Sequence, residues 1–224
     1  MITEYLFTDS YFTEEFNQYL QVRGKGLKKQ ANKMLDALML YFDKLDCNVQ
    51  DKITEEFCLL RDAGKIKEPQ HSFAERLKTV LFRACEQNRM PHLRWYYEFT
   101  NIWSFLQRAY SHADCDELTV NRMLSEYFET LWFGQHHFSE DVCLIEKSVA
   151  ESTLKDVENL MDKHDISPEQ KSTYFYYKNL YSDWYTWKEK SKSNSTAVTF
   201  REWCFENNRD YKWITAIYYD SSAN

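Results

Sequence analysis

His136 and His137, with Asp141 and Cys143 just downstream, are the side chains in this sequence best suited to holding a metal ion. Imidazole, carboxylate and thiolate are the usual ligands of zinc, and a site needs three or four of them aimed at one point. Neighbouring histidines leave a helix or a strand on different sides, so the two rings do not converge. Neither HExxH nor a pair of closely spaced cysteines occurs, and no metal or other cofactor is expected.

Other chemistries fare no better. His164-Asp165 is similar to the paired ligands of helical HD-type phosphohydrolases, with His112 or His137 upstream, but it abuts Ile166-Ser167-Pro168, where a helix exits and cannot aim both groups inward. Arg23-Gly24-Lys25-Gly26 is too short to cradle phosphates and lacks the strand and helix that flank such loops. No serine or cysteine has a base at a spacing that would activate it. A non-enzymatic protein without catalytic residues is therefore expected.

Cys47, Cys58, Cys85, Cys115, Cys143 and Cys204 are dispersed through helical patterns. Such thiols behave as small hydrophobes, so all six are read as reduced and structural, which places the chain in the cytoplasm. The opening Met1-Ile2-Thr3-Glu4 does not read as a signal peptide, and no apolar run approaches the ~20 residues that cross a bilayer.

Charge is the most informative feature. Between Ser111 and Gln170 there are fourteen carboxylates and four basic side chains, so this stretch carries a formal −10 while the remainder carries +3. Like charge gathered on neighbouring elements repels itself and projects a field that favours cationic partners and repels phosphate. Asp114, Asp116, Glu117, Glu126, Glu129, Glu140 and Asp141 are the candidate partner-binding residues. Arg23, Lys25, Lys28, Lys29 and Lys33 make a basic counterpart, too short a stripe for a nucleic-acid site.

The elements that must position these groups are helical. Leu27, Ala31, Met34, Leu35, Leu38, Tyr41, Phe42 and Leu45 recur at three and four, and Val49, Ile53, Phe57 and Leu60 continue the spacing up to Gly64, which suits a left-handed helix end. The pattern predicts antiparallel pairs, 27–45 with 49–63 and 72–88 with 91–110, in units that resemble α-solenoid hairpins. Ser72/Glu75, Ser148/Glu151, Ser167/Gln170 and Thr199/Glu202 each read as a capping box, and Pro91 and Pro168 each suit a first helical turn. Leu118, Leu124, Tyr127, Phe128, Leu131 and Trp132 mark the apolar face of another helix, followed by an irregular link from Gly134 to Leu144. A further helix runs from Pro168 to about Lys188, a flexible loop is expected over 190–197, and the segment 211–219 is read as helix. The expectation is an all-α chain of about nine helices, an irregular or solenoid-like stack in one domain of residues 1–224, with a possible sub-division near 111–115.

The segment from Phe73-Ala74-Glu75-Arg76-Leu77 through Met90-Pro91-His92-Leu93-Arg94-Trp95-Tyr96-Tyr97, and the later Leu131-Trp132-Phe133-Gly134-Gln135-His136-His137-Phe138, resemble motifs of helical bacterial proteins. Among these are immunity proteins of polymorphic and contact-dependent growth inhibition toxin systems. The resemblance implies a protein that neutralises a cognate toxin, and many such toxins are nucleases with basic substrate grooves. It agrees with the charge: the expected partner is a basic protein toxin, with no nucleic acid and no membrane involved. A scaffold or adaptor that takes a peptide or helix in a groove is the alternative, ahead of a metal-dependent phosphohydrolase.

Overall fold

The computed structural model describes residues 6–193 and 198–213. In chain order the helices are α1 (Ser10–Gly24), α2 (Lys28–Phe42), α3 (Cys47–Asp62), α4 (His71–Glu86), α5 (His92–Thr100), α6 (Trp103–Tyr110), α7 (Glu117–Gln135), α8 (Lys147–Lys163), α9 (Pro168–Ser193) and α10 (Phe200–Glu206), with a 3-10 turn over Phe138–Glu140. The all-α class is as expected, and no strand occurs among the described residues. The chain divides into two compact units, residues 1–119 and 120–224, with the division inside α7, downstream of 111–115.

The first unit is organised around phenylalanines. Helix α1, which the sequence reading did not include, places Phe12, Phe16 and Tyr19 on one buried face and is started by Asp9, whose carboxylate accepts the Phe12 N–H at 2.7 Å. Phe16 and Phe73 lie 5.9 Å apart, and Phe57 meets Phe73 edge-on at 4.9 Å, so α1, α3 and α4 share one aromatic core with Leu35 and Phe42 of α2. Gly64 has φ +66, the left-handed helix end that its position suggested.

Several expectations in this unit fail, among them the pairing of 27–45 with 49–63: α2 packs chiefly against α1 and then α4. The Ser72/Glu75 box does not form, because α4 begins earlier with Gln70 at its N-cap; Ser72 lies in the first turn and Glu75 pairs with Lys78 at 2.8 Å. The single helix over 91–110 is two helices, α5 and α6, separated where Asn101 adopts a left-handed conformation with φ 55, and Pro91 sits at the N-cap of α5, one residue before its first turn. Asparagine tolerates that conformation because its short amide can bond locally. Helix α5 is central, as its aromatic content suggested, with His92, Leu93, Arg94, Trp95 and Tyr97 all buried.

The second unit builds its core where α9 meets the link after α7. Phe138 stacks on Trp184 at 4.1 Å, and Phe200 of α10 closes edge-on against both rings. The Ser167/Gln170 box forms, with bonds of 2.9 and 3.2 Å, and so does the Thr199/Glu202 box. The Ser148/Glu151 box does not, because α8 starts at Lys147 and holds Ser148 within its first turn. Helix α9 continues through Ser193, so that part of the expected 190–197 loop is helical, while 194–197 lies outside the described residues. Residues 211–213 have no regular structure, and the rest of 211–219 lies outside the described residues.

All six cysteines are free thiols. Cys58, Cys85 and Cys204 are buried as small hydrophobes, and burial pushes each thiol up to about 12. Cys47 departs from the structural role expected of it: it is exposed at the first position of α3.

Candidate partner-binding surface

The seven carboxylates singled out by charge have different local fates. Asp114, Asp116 and Glu117 belong to the first unit, and Glu126, Glu129, Glu140 and Asp141 to the second. Glu126 pairs with Arg122 at 2.7 Å, one helical turn back, and Glu140 with His137 at 3.0 Å. Asp141 accepts the Phe200 N–H at 2.8 Å and so fixes the start of α10. Asp116 accepts the Thr119 N–H at 2.7 Å and also reaches Arg94. Asp114 is exposed and lies 3.7 Å from His112, while Glu117 and Glu129 are exposed and have no ion-pair partner among the described residues.

The charge of the middle third is also met by lysines of α9, beyond residue 170. Glu158 of α8 pairs with Lys178 of α9 at 3.1 Å, and the hydrogen bonds from Lys178 and then Tyr174 hold its carboxyl below the usual carboxylate range. Asp165 lies 3.8 Å from Lys171. These pairs are exposed, so each stabilises the fold weakly, but they lower the field that the unpaired count implied.

Asp116 belongs to an ionic cluster in the first unit. Arg94, 2% exposed, donates to both carboxylate oxygens of Asp62 at 2.7 and 3.2 Å and to Glu98 at 2.9 Å. Glu98 also pairs with Arg61, and Trp95 donates its indole N–H to Asp62 at 2.8 Å. Burial opposes the Arg94 charge, but Asp62, Glu98 and Asp116 outweigh it, so its pKa lies above the ordinary guanidinium range. Next to this cluster, His92 is buried with Nε2 3.0 Å from Glu55, which also pairs with Arg89 at 2.7 Å.

Burial, helped by Arg89 and opposed by Glu55, lowers the His92 pKa below 6.5. An unfolded His92 therefore takes up a proton near pH 6.5 that the folded one refuses until its lower pKa is reached. Its contribution to stability is complete above pH 6.5 and declines as pH falls through that window. Urea unfolding at about pH 7.5 and about pH 5.5 should show a stability loss in the native chain that is smaller in His92→Gln. Equal losses in the two proteins would assign the effect to other groups.

Exposed apolar side chains give the second unit a different candidate surface. Near the end of α7, Trp132 is 47% exposed and Phe133 53% exposed, although Trp132 was expected on the buried face of that helix. Leu131 and Gly134 are buried instead, and the Leu131 carbonyl accepts the Tyr181 hydroxyl at 2.7 Å. The link that follows alternates: Cys143 and Ile145 pack against the core while Val142 and Leu144 are exposed. The Leu144 N–H donates to the Gly134 carbonyl at 3.0 Å, which seats the link beside the end of α7. Trp132 also walls a cavity of about 570 Å³ with Thr173, Tyr176 and Tyr177 of α9.

Among the described residues no group of three or more His, Cys, Asp or Glu side chains is placed to hold a metal ion. Of the set picked out by sequence, His137 faces Glu140, Asp141 caps α10, and the Cys143 thiol donates to the Ile145 carbonyl at 3.2 Å. His164 is the C-cap of α8, and the exposed Asp165 that follows it lies 3.8 Å from Lys171. No helix among the described residues is long and apolar enough to cross a membrane. No protein-family model matches the chain, and no curated protein or solved structure is significantly similar to it.

Proposed function

We propose that this is a non-enzymatic protein-binding protein that neutralises a cognate basic toxin through a surface on its second unit, at the junction of α7 and the following link. The observation that carries this reading is the exposure of Trp132 and Phe133 at the end of α7 together with Val142 and Leu144 in the link that the Leu144–Gly134 bond seats beside it; Phe175 and Phe205 of the same unit are exposed as well. Exposed aromatic clusters of this kind serve as anchors in protein interfaces, where a few large side chains supply most of the binding energy. Glu129, one turn before Trp132 and Phe133, and Glu140 in the link supply negative charge within the same stretch of chain. Complementary charge at the edge of such a surface raises association rates and selects partners. The resemblance of the two aromatic motifs to immunity proteins supports a toxin as the partner. A nuclease with a basic substrate groove fits the charge, because carboxylates can stand in for phosphates. The compartment of action on this reading is the cytoplasm.

Toxin protection in the source cell, together with capture of the partner on the tagged full chain, tests the proposal. Trp132→Ala should cost at least about 2 kcal/mol of binding, as anchor residues do. Glu129→Lys should slow association and weaken its dependence on salt, while Asp114→Lys in the first unit should leave binding unchanged. An association that survives Trp132→Ala combined with Glu129→Lys would refute the assignment. The cavity walled by Trp132 and Tyr176 favours a second reading, an adaptor that takes an apolar peptide or helix. Binding insensitive to salt but lost in Tyr176→Ala would select it.

A further inference from the structure

We infer that the first unit carries a separate binding site for a small amphipathic carboxylate, an organic anion with an apolar body. A cavity of about 570 Å³ opens between α1 and the segment joining α3 to α4. That volume lies within the range of small-molecule sites. Its floor is apolar and reaches the core: Phe16 and Leu20 of α1, Leu35 of α2, Phe57 of α3 and Phe73 of α4.

Its mouth is cationic. Arg23, Lys65 and Lys67 surround the opening, and Glu68, the single carboxylate among the described lining residues, lies 3.9 Å from the Arg61 guanidinium. Arg23 is positioned by donating to the Tyr19 hydroxyl at 2.5 Å, with its guanidinium 5.9 Å from the centre of that ring. Two helices end beside the opening, and their C-terminal carbonyls would repel an anion if they were open. Most of them are bonded within the turns: Lys25, Gly26 and Leu27 donate to Gln21, Arg23 and Val22, and Ala63, Gly64 and Lys65 donate to Leu59, Arg61 and Leu60. Helix α4, by contrast, begins at the cavity with Gln70 as an N-cap whose side chain makes no capping bond, so its first N–H groups add positive potential there. The cationic side chains of the described lining therefore favour an anionic head, while the floor takes an apolar tail. A neutral apolar ligand would leave the head position unused, and a cation would be repelled.

Calorimetric titration of the full chain with decanoate, decan-1-ol and decyltrimethylammonium, all below their aggregation limits, tests this. Decanoate should bind saturably at one site, decan-1-ol roughly tenfold or more weakly, and the cation not at all. Arg23→Gln and Lys67→Gln lie on the surface and should leave the fold intact while each weakens decanoate roughly tenfold. Leu20→Trp, at a partly buried position, should fill the floor and remove binding of decanoate and decan-1-ol alike. Equal affinity for decanoate and decan-1-ol, or an unchanged affinity in the Arg23→Gln/Lys67→Gln double variant, would overturn the anionic class. Absence of saturable decanoate binding, or its persistence in Leu20→Trp, would overturn the site.

Discussion

Arg94→Ala should destabilise the first unit by about 3–5 kcal/mol, the usual cost of removing one partner from a buried ionic cluster. The guanidinium is 2% exposed, and the Asp62, Glu98 and Asp116 side chains around it are 15%, 20% and 37% exposed. Without it, Asp62 and Glu98 are left in a poorly solvated place with Arg61 as the remaining cation paired to them. Asp62 also accepts the Trp95 indole N–H, so the disturbance reaches the largest fully buried side chain of the unit. Arg94→Lys should recover only part of the loss. A single ammonium cannot reproduce the two-pronged contact with Asp62 while still reaching Glu98. Urea unfolding followed by tryptophan fluorescence measures the series. A loss below about 1 kcal/mol for Arg94→Ala would mean that the carboxylates are solvated well enough to stand alone.

The helices were legible because burial imposes a period that the sequence displays, as at Leu35, Leu38, Met39 and Phe42. Their ends were less so. A serine or threonine three residues before a glutamate or glutamine marks a helix start only if the chain ahead of it is extended. That holds before Pro168 and Phe200, but Ser72 and Ser148 follow residues already in the first turn. The break at Asn101 depends on one residue's tolerance of a left-handed backbone, which leaves no trace in apolar spacing. Charge was misleading for a similar reason. A sum over residues 111–170 registers local pairs such as Arg122 with Glu126, but not Lys178 folding against Glu158 or Arg94 against Asp116. The exposed aromatics were hidden because Trp132 keeps the helical period of Phe128 and Leu131, and only the packing of Gly134 against α9 turns it outward.

That packing makes Gly134→Ala the second large effect. A glycine inside a helix ordinarily costs about 1 kcal/mol relative to alanine, so propensity alone predicts that the substitution stabilises. Here a Cβ would overlap the Tyr181 hydroxyl and lie 2.6 Å from Ile145 Cγ1. A tyrosine hydroxyl is often free to give way, but this ring is 1% exposed and its oxygen is held by the Leu131 carbonyl at 2.7 Å. Ile145 is packed against the same core and sits one residue after Leu144, which is bonded to the Gly134 carbonyl. Neither neighbour can yield without moving α9 or the link, so overpacking should win by about 3 kcal/mol, near the upper end of its usual range. The double variant Gly134→Ala/Tyr181→Phe should recover at least about 1 kcal/mol of that loss, because it removes the nearest atom and the bond that holds it. The same displacement should weaken partner binding in Gly134→Ala even where the protein remains folded, since Phe133 and Leu144 flank the altered position. If thermal unfolding shows Gly134→Ala to be as stable as the native chain or more so, helix propensity decides at this position. The close approach of α7, α9 and the link would then not be what fixes the exposed aromatic surface.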